Sequence, residues 1–74
     1  MPMKYIRDTL DNLYIFSRTV QHAFVAESLK LEVKSAGFCM INGNEYSAYG
    51  KSTSFPDKGA LPDDGNLIRD QLNP

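Results

Sequence analysis

The sequence predicts an α+β domain: a long N-terminal helix packed on a three-stranded antiparallel β-meander, closed by a short C-terminal helix. Three observations carry that expectation. No glycine or proline interrupts residues 3–36, and apolar residues recur there at helical spacing. Leu29-Lys30-Leu31-Glu32-Val33-Lys34 then alternates apolar and charged with a period of two. Asn42-Gly43 is the strongest short-range hairpin signal in the chain.

For the first helix, Ile6, Leu10, Leu13, Val20 and Phe24 fall on one stripe, with Ser17 filling the skipped position. Asp8 and Asp11 lie early, where the positive end of the helix dipole favours them. A competing pattern makes Leu13-Tyr14-Ile15-Phe16 a short buried strand after an Asp11-Asn12 turn, since three of its four residues are aromatic or β-branched. The helix is preferred because the stripe continues through Val20 and Phe24.

At Leu29 the period changes. On a helix Leu31 would point well away from Leu29 and Val33, whereas a strand puts the three on one side and the three charges on the other. The rival pattern carries the helix onward to a Gly37 cap. Ser35-Ala36-Gly37 has the length and terminal glycine of a three-residue hairpin loop. Phe38-Cys39-Met40-Ile41 follows as the second strand, and Asn44 to Thr53, rich in Tyr, Ser and Thr, as the third. Pro56, Gly59, Pro62 and Gly65 make 56–65 a turn-rich connector. Leu67, Ile68 and Leu72 then share one face of a helix from about Asn66 to Leu72, with Asp63 or Asp64 as cap.

The 74 residues leave room for one domain spanning 1–74. With 42% hydrophobic and 23% charged residues, the composition is that of a folded protein and not of a disordered one. Below about 80 residues a hydrophobic core contributes only a few kcal/mol net, and disulfides, a metal or a second subunit usually help. One cysteine (Cys39) and one histidine (His22) exclude a disulfide framework and a Cys/His zinc site within one chain. Self-association is the remaining source.

A formal net charge of −1 argues against a protein that lives on the phosphate backbone. No apolar run approaches the ~20 residues of a membrane span, and Met1 to Asp8 lacks the apolar stretch of a signal peptide. The expected location is the cytoplasm, with no membrane partner.

Gly50-Lys51-Ser52-Thr53 spells the end of a phosphate-binding P-loop, but the position five before Gly50 is Glu45 instead of glycine. The string reads as coincidence. Counting an EF-hand loop from Asp57 puts Gly59 and Leu61 where acidic ligands belong, so Asp57, Asp63 and Asp64 read as turn and cap residues. His22 lies beside the helix stripe with no orienting carboxylate in view, and Cys39 falls on the core face of the sheet, as free cysteines usually do. No catalytic constellation, metal site or cofactor is expected.

The strand pattern is more informative. Pairing Val33 with Cys39, Leu31 with Ile41 and Cys39 with Tyr46 gathers Leu29, Leu31, Val33, Cys39, Ile41, Tyr46 and Ala48 on the face that seats the long helix. The other face carries Phe38, Met40 and Tyr49 beside Lys30, Lys34 and Lys51, with Glu32 and Glu45 among them. A contiguous apolar group on a sheet face is core or an interaction surface. Three occupants suit it: the C-terminal helix folding back, a protein partner or second copy, or stacked bases of a single-stranded nucleic acid.

The functional expectation is therefore a small non-enzymatic protein-interaction module, of accessory or inhibitor type, acting by surface binding and able to form a homodimer. Its binding residues are Phe38, Met40, Tyr49, Lys30, Lys34 and Lys51. The alternative is a nucleic-acid-associated regulator using the same Lys/aromatic face, which the net charge disfavours.

Overall fold

A computed structural model describes residues 2–73. The chain is α+β but differs from the expected arrangement: four strands replace three, and the first helix is short. β1 (Met3–Asp8), β2 (Leu13–Phe16), α1 (His22–Leu29), β3 (Val33–Asn42), β4 (Glu45–Tyr49) and α2 (Asp64–Leu72) follow in order. The sheet runs β2-β1-β3-β4 with every neighbouring pair antiparallel. β2 and β3 are thus parallel to each other, flank β1, and are joined through α1 as a split β-α-β unit.

The long N-terminal helix fails at Asp8 to Asn12. Asp8 Oδ1 accepts the amides of Leu10 and Asn12, and Asp11 sits at φ 65°. These are turn contacts, and they fold β1 back onto β2. The acidic residues that suit a helix start make a hairpin instead. Within β1 a period of two is visible afterwards: Tyr5 and Arg7 point to one face, Ile6 and Asp8 to the other. The strand pattern at Leu13 to Phe16 is the one the fold adopts.

α1 ends at Lys30, left-handed at φ 54°, whose amide reaches back to the carbonyls of Ala26 and Glu27. Leu29 therefore closes a helix instead of opening a strand, and Leu31 packs from the connector against Ile6, Val33 and Ala36. Ser35-Ala36-Gly37 is no loop. It is the middle of β3, and its residues are small because both faces crowd it. Ser35 and Ala36 are fully buried, and a Cβ on Gly37 would come 2.7 Å from the Tyr49 carbonyl oxygen. The β3–β4 loop is Gly43-Asn44, with Gly43 at φ 64° and Asn42 opposite Glu45. Cys39 consequently faces Ala48 and Phe38 faces Tyr49, a slip of two from the expected register. A slip of two leaves the side chains of Phe38 to Ile41 and of β4 on their expected faces, whereas Val33, beyond the register shift at Arg7/Asp8, packs with Ala36 on the face opposite Cys39 and not beside it as expected.

The helices cover opposite faces. α2 places Ile68 and Leu67 on Tyr5, Leu13 and Cys39, while α1 places Ala26 and Val25 on Ile6, Val33 and Ala36. The C-terminal helix thus does not fold over Phe38, Met40 and Tyr49; it covers the Cys39 side. Its anchor is polar. Asp64, fully buried, accepts hydrogen bonds from the Tyr5 and Ser35 hydroxyls, the Leu61 amide and the Arg7 guanidinium. Arg7 also reaches Asp63 and Asp11 at 2.9 Å. Buried charges of this kind persist only when paired and fully hydrogen-bonded. Among the described residues no helix is long and apolar enough to cross a membrane.

Candidate functional site

On the α1 side of the sheet, a pocket of about 350 Å³ opens between the start of α1 and the segment after β4. Lys4 from β1, Gln21 and His22 from the helix start, and Phe38 from β3 form one part of its wall. Lys51, Ser52, Thr53 and Ser54 form the rest. Two ammonium groups and three hydroxyls therefore meet in one cavity with no carboxylate in its lining.

Local backbone chemistry explains the loop. Gly50 ends β4 at φ 71°, and a Cβ there would meet Phe38 Cδ1 at 3.2 Å. Gly50 O then accepts the Ala60 amide, tying the segment's base. Ser52, buried, turns the chain by accepting the Ser54 amide on its hydroxyl and the Phe55 amide on its carbonyl. Among the described residues the amides of Lys51, Ser52 and Thr53 donate to no acceptor. The amides of the first turn of α1, His22 to Phe24, are likewise without an acceptor, and Gln21 caps none of them with its side chain. Such groups, with the positive end of the helix dipole, favour an anion.

His22 is the buried floor. Its Nε2 lies 2.9 Å from the Gly37 carbonyl oxygen, so Nε2 carries the proton and donates it. Phe16 and Phe38 meet the ring edge-on at 5.4 and 5.8 Å. Burial pushes the imidazole pKa below its ordinary value, Lys4 adds repulsion, and the bond to Gly37 opposes both. The resting ring is neutral, and the nitrogen left to meet a ligand is Nδ1. Lys4 is held over the pocket by donating to the Val20 carbonyl at 2.9 Å, which leaves further ammonium protons free.

The residues singled out from sequence are divided by the fold. Phe38 and Lys51 line the pocket, and Tyr49 stacks beside Phe38 with ring centroids 6.0 Å apart. Met40 is exposed on the same face, opposite Ser47 and outside the pocket. Lys30 stands at the far end of α1, beside a separate apolar hollow with Leu31 and Phe55. Lys34 pairs with Asp11 at 3.3 Å near the β1–β2 turn. Lys4, Gln21, His22 and Ser52 to Ser54 went unpredicted. Their one legible signal is Gly50-Lys51-Ser52-Thr53, which reads as coincidence because Glu45 stands where a P-loop needs glycine; in the fold it precedes a turn-rich connector.

Cys39 faces the opposite side of the sheet from His22, buried, with its thiol pKa pushed up by desolvation. The two do not form a pair. Among the described residues no three His, Cys, Asp or Glu side chains converge as a metal-binding group. No family model, curated protein or solved structure matches the chain.

Proposed function

We propose that this chain is a small binding module whose working site is the Lys4/His22/Lys51 pocket, and that its ligand is an oxyanion of phosphate size carried by a partner molecule. The observation that carries this reading is the pocket lining: two lysines, three hydroxyl-bearing residues, and the residues Lys51 to Thr53 and His22, whose amides donate to no acceptor among the described residues, without an opposing carboxylate. Oriented N–H groups and ammoniums are what an oxyanion needs to replace its water. The reading keeps the expected class of interaction module. It moves the centre from the sheet face to the pocket at that face's edge.

Calorimetric titration with inorganic phosphate tests it. Binding in the millimolar range, about −4 kcal/mol, is expected for wild type. It should weaken severalfold in Lys4→Met and again in Lys51→Met, and weaken with added chloride salt. Affinity unchanged in the double variant would remove the pocket as the site.

A second reading follows from the His22 tautomer. With Nε2 donating to Gly37, Nδ1 is a neutral lone pair bordering an oxyanion site, the arrangement of a histidine nucleophile. It would attack phosphorus as the P–O ester bond breaks, and water would then release phosphate from the imidazole. Turnover of p-nitrophenyl phosphate that vanishes in His22→Asn while phosphate binding persists would support catalysis. Its absence in wild type leaves the pocket a binding site only.

A further inference from the structure

We infer that His22 Nδ1 makes the pocket selective for a phosphoryl group that keeps one P–O–H, over oxyanions that carry no proton, such as sulfate; this rests on the oxyanion reading of the pocket. Hydrogen phosphate and the monoanion of a phosphate monoester share that chemistry. His22 is 3% exposed, and its Nε2–H is spent on the Gly37 carbonyl oxygen at 2.9 Å. A carbonyl can only accept, so Nδ1 of the neutral ring holds the lone pair and can itself only accept. Among the described residues Nδ1 has no hydrogen-bond partner, while no fully buried side-chain nitrogen or oxygen lacks one. Nδ1 is therefore open, and the cavity that His22 lines is the Lys4/Lys51 pocket. Phe16 and Phe38 hold the ring edge-on at 5.4 and 5.8 Å and offer it no polar donor.

The charged groups of the pocket are Lys4 from β1 and Lys51 from the segment after β4, with no carboxylate in the lining. The ammoniums attract an oxyanion of either kind and do not tell sulfate from phosphate. An acceptor beside them does. Sulfate has the size and charge of hydrogen phosphate but brings only acceptors at neutral pH, so its oxygen would meet Nδ1 lone pair to lone pair. Hydrogen phosphate donates its O–H to Nδ1 and leaves its other oxygens to the lysines and amides. A site built around a hydrogen bond rejects the analogue that lacks it, because the site's own polar group is left unpaired. Protonation of His22 would turn Nδ1 into a donor and erase the distinction; burial and the charge of Lys4 oppose it.

The full chain is titrated calorimetrically with inorganic phosphate, sulfate and methyl phosphate at pH 8 and pH 6. At pH 8 inorganic phosphate should bind roughly tenfold more tightly than sulfate. Methyl phosphate, there a dianion without an O–H, should bind like sulfate. At pH 6 it regains a proton, since the second pKa of a phosphate ester is about 6. A severalfold gain over sulfate at that pH assigns the site to a phosphate carried by another molecule, and no gain assigns it to free phosphate. His22→Asn should bind phosphate and sulfate alike. In wild type, which needs no substitution to be tolerated, the ¹⁵N resonance of His22 Nδ1 should move with phosphate and not with sulfate. Sulfate bound as tightly as phosphate at pH 8, or methyl phosphate matching phosphate there, overturns the inference and leaves the pocket standing. A folded His22→Asn that keeps the preference does the same. Failure of every anion to bind overturns both.

Discussion

The Nε2 atom of His22 lies 2.9 Å from the carbonyl oxygen of Gly37, joining the first residue of α1 to the middle of β3 across the sheet's central region. The bond holds the ring in one tautomer and couples the helix start, where the pocket lies, to the strand that carries Phe38. It also makes the fold sensitive to protonation of a single imidazole.

Stability should fall as pH drops below about 6.5, the ordinary value for histidine. The folded-state pKa of His22 is lowered, so the unfolded chain binds more protons between the two values, and stability rises with pH across that window. Chemical denaturation midpoints from pH 7.5 downward measure this. His22→Asn should flatten the profile between pH 7 and 5. A second decline should begin near the ordinary carboxylate value of 3.8, as Asp8, Asp11 and Asp63, all held below it, become protonated.

The Arg7–Asp64 pair anchors α2, and its removal should be costly. Asp64→Ala leaves a buried guanidinium short of one partner and the Tyr5 and Ser35 hydroxyls without an acceptor. A loss of about 3 to 5 kcal/mol in urea denaturation is expected. Ser35→Ala removes one hydrogen bond of the set and should cost about 1 kcal/mol. Equal costs for the two would show that the ion pair is not the anchor.

Glycines of the β3–β4 hairpin should separate by mechanism. Nothing lies within 4 Å of a Cβ at Gly43, so Gly43→Ala meets only the positive φ, about 1 to 2 kcal/mol. Gly37→Ala drives a methyl to 2.7 Å from a backbone oxygen of the neighbouring strand, and it also disturbs the acceptor of His22. It should destabilise more than Gly43→Ala and broaden the Tyr49 and His22 resonances. The reverse order would contradict the packing described for β3.

Cys39 should be unreactive in the folded protein. It is 2% exposed under α2, and burial raises its thiol pKa. Modification by a thiol reagent at pH 8 should be slow and should accelerate in step with unfolding in urea. Rapid labelling under native conditions would mean that α2 leaves the sheet readily.

Much of the strand chemistry was legible in the residues themselves. The side-chain faces of Phe38, Cys39, Met40, Ile41, Tyr46, Ala48 and Tyr49 follow from period-two alternation, and survive a register slip of two because the period is two. The long N-terminal helix misled because Ile6, Leu10, Leu13, Val20 and Phe24 match a helical stripe by position alone. Asp8 and Asp11 favour a helix start and a turn about equally, and tertiary pairing with β3 decides between them. Ser35-Ala36-Gly37 misled for a related reason: small residues suit a turn, and they also suit a strand crowded on both faces. The pocket was out of reach of sequence spacing, since Lys4, His22 and Ser52 are brought together only by the β2-β1-β3-β4 order.

The most direct test is an amide-resolved NMR titration of the chain with inorganic phosphate. The account predicts the largest shifts at the amides of Lys51, Ser52 and Thr53 and in the first turn of α1. It also predicts movement of the His22 ring resonances, and loss of the whole pattern in the Lys4→Met, Lys51→Met double variant. Shifts scattered over the surface, or a pattern at these amides that the double variant leaves intact, would contradict it.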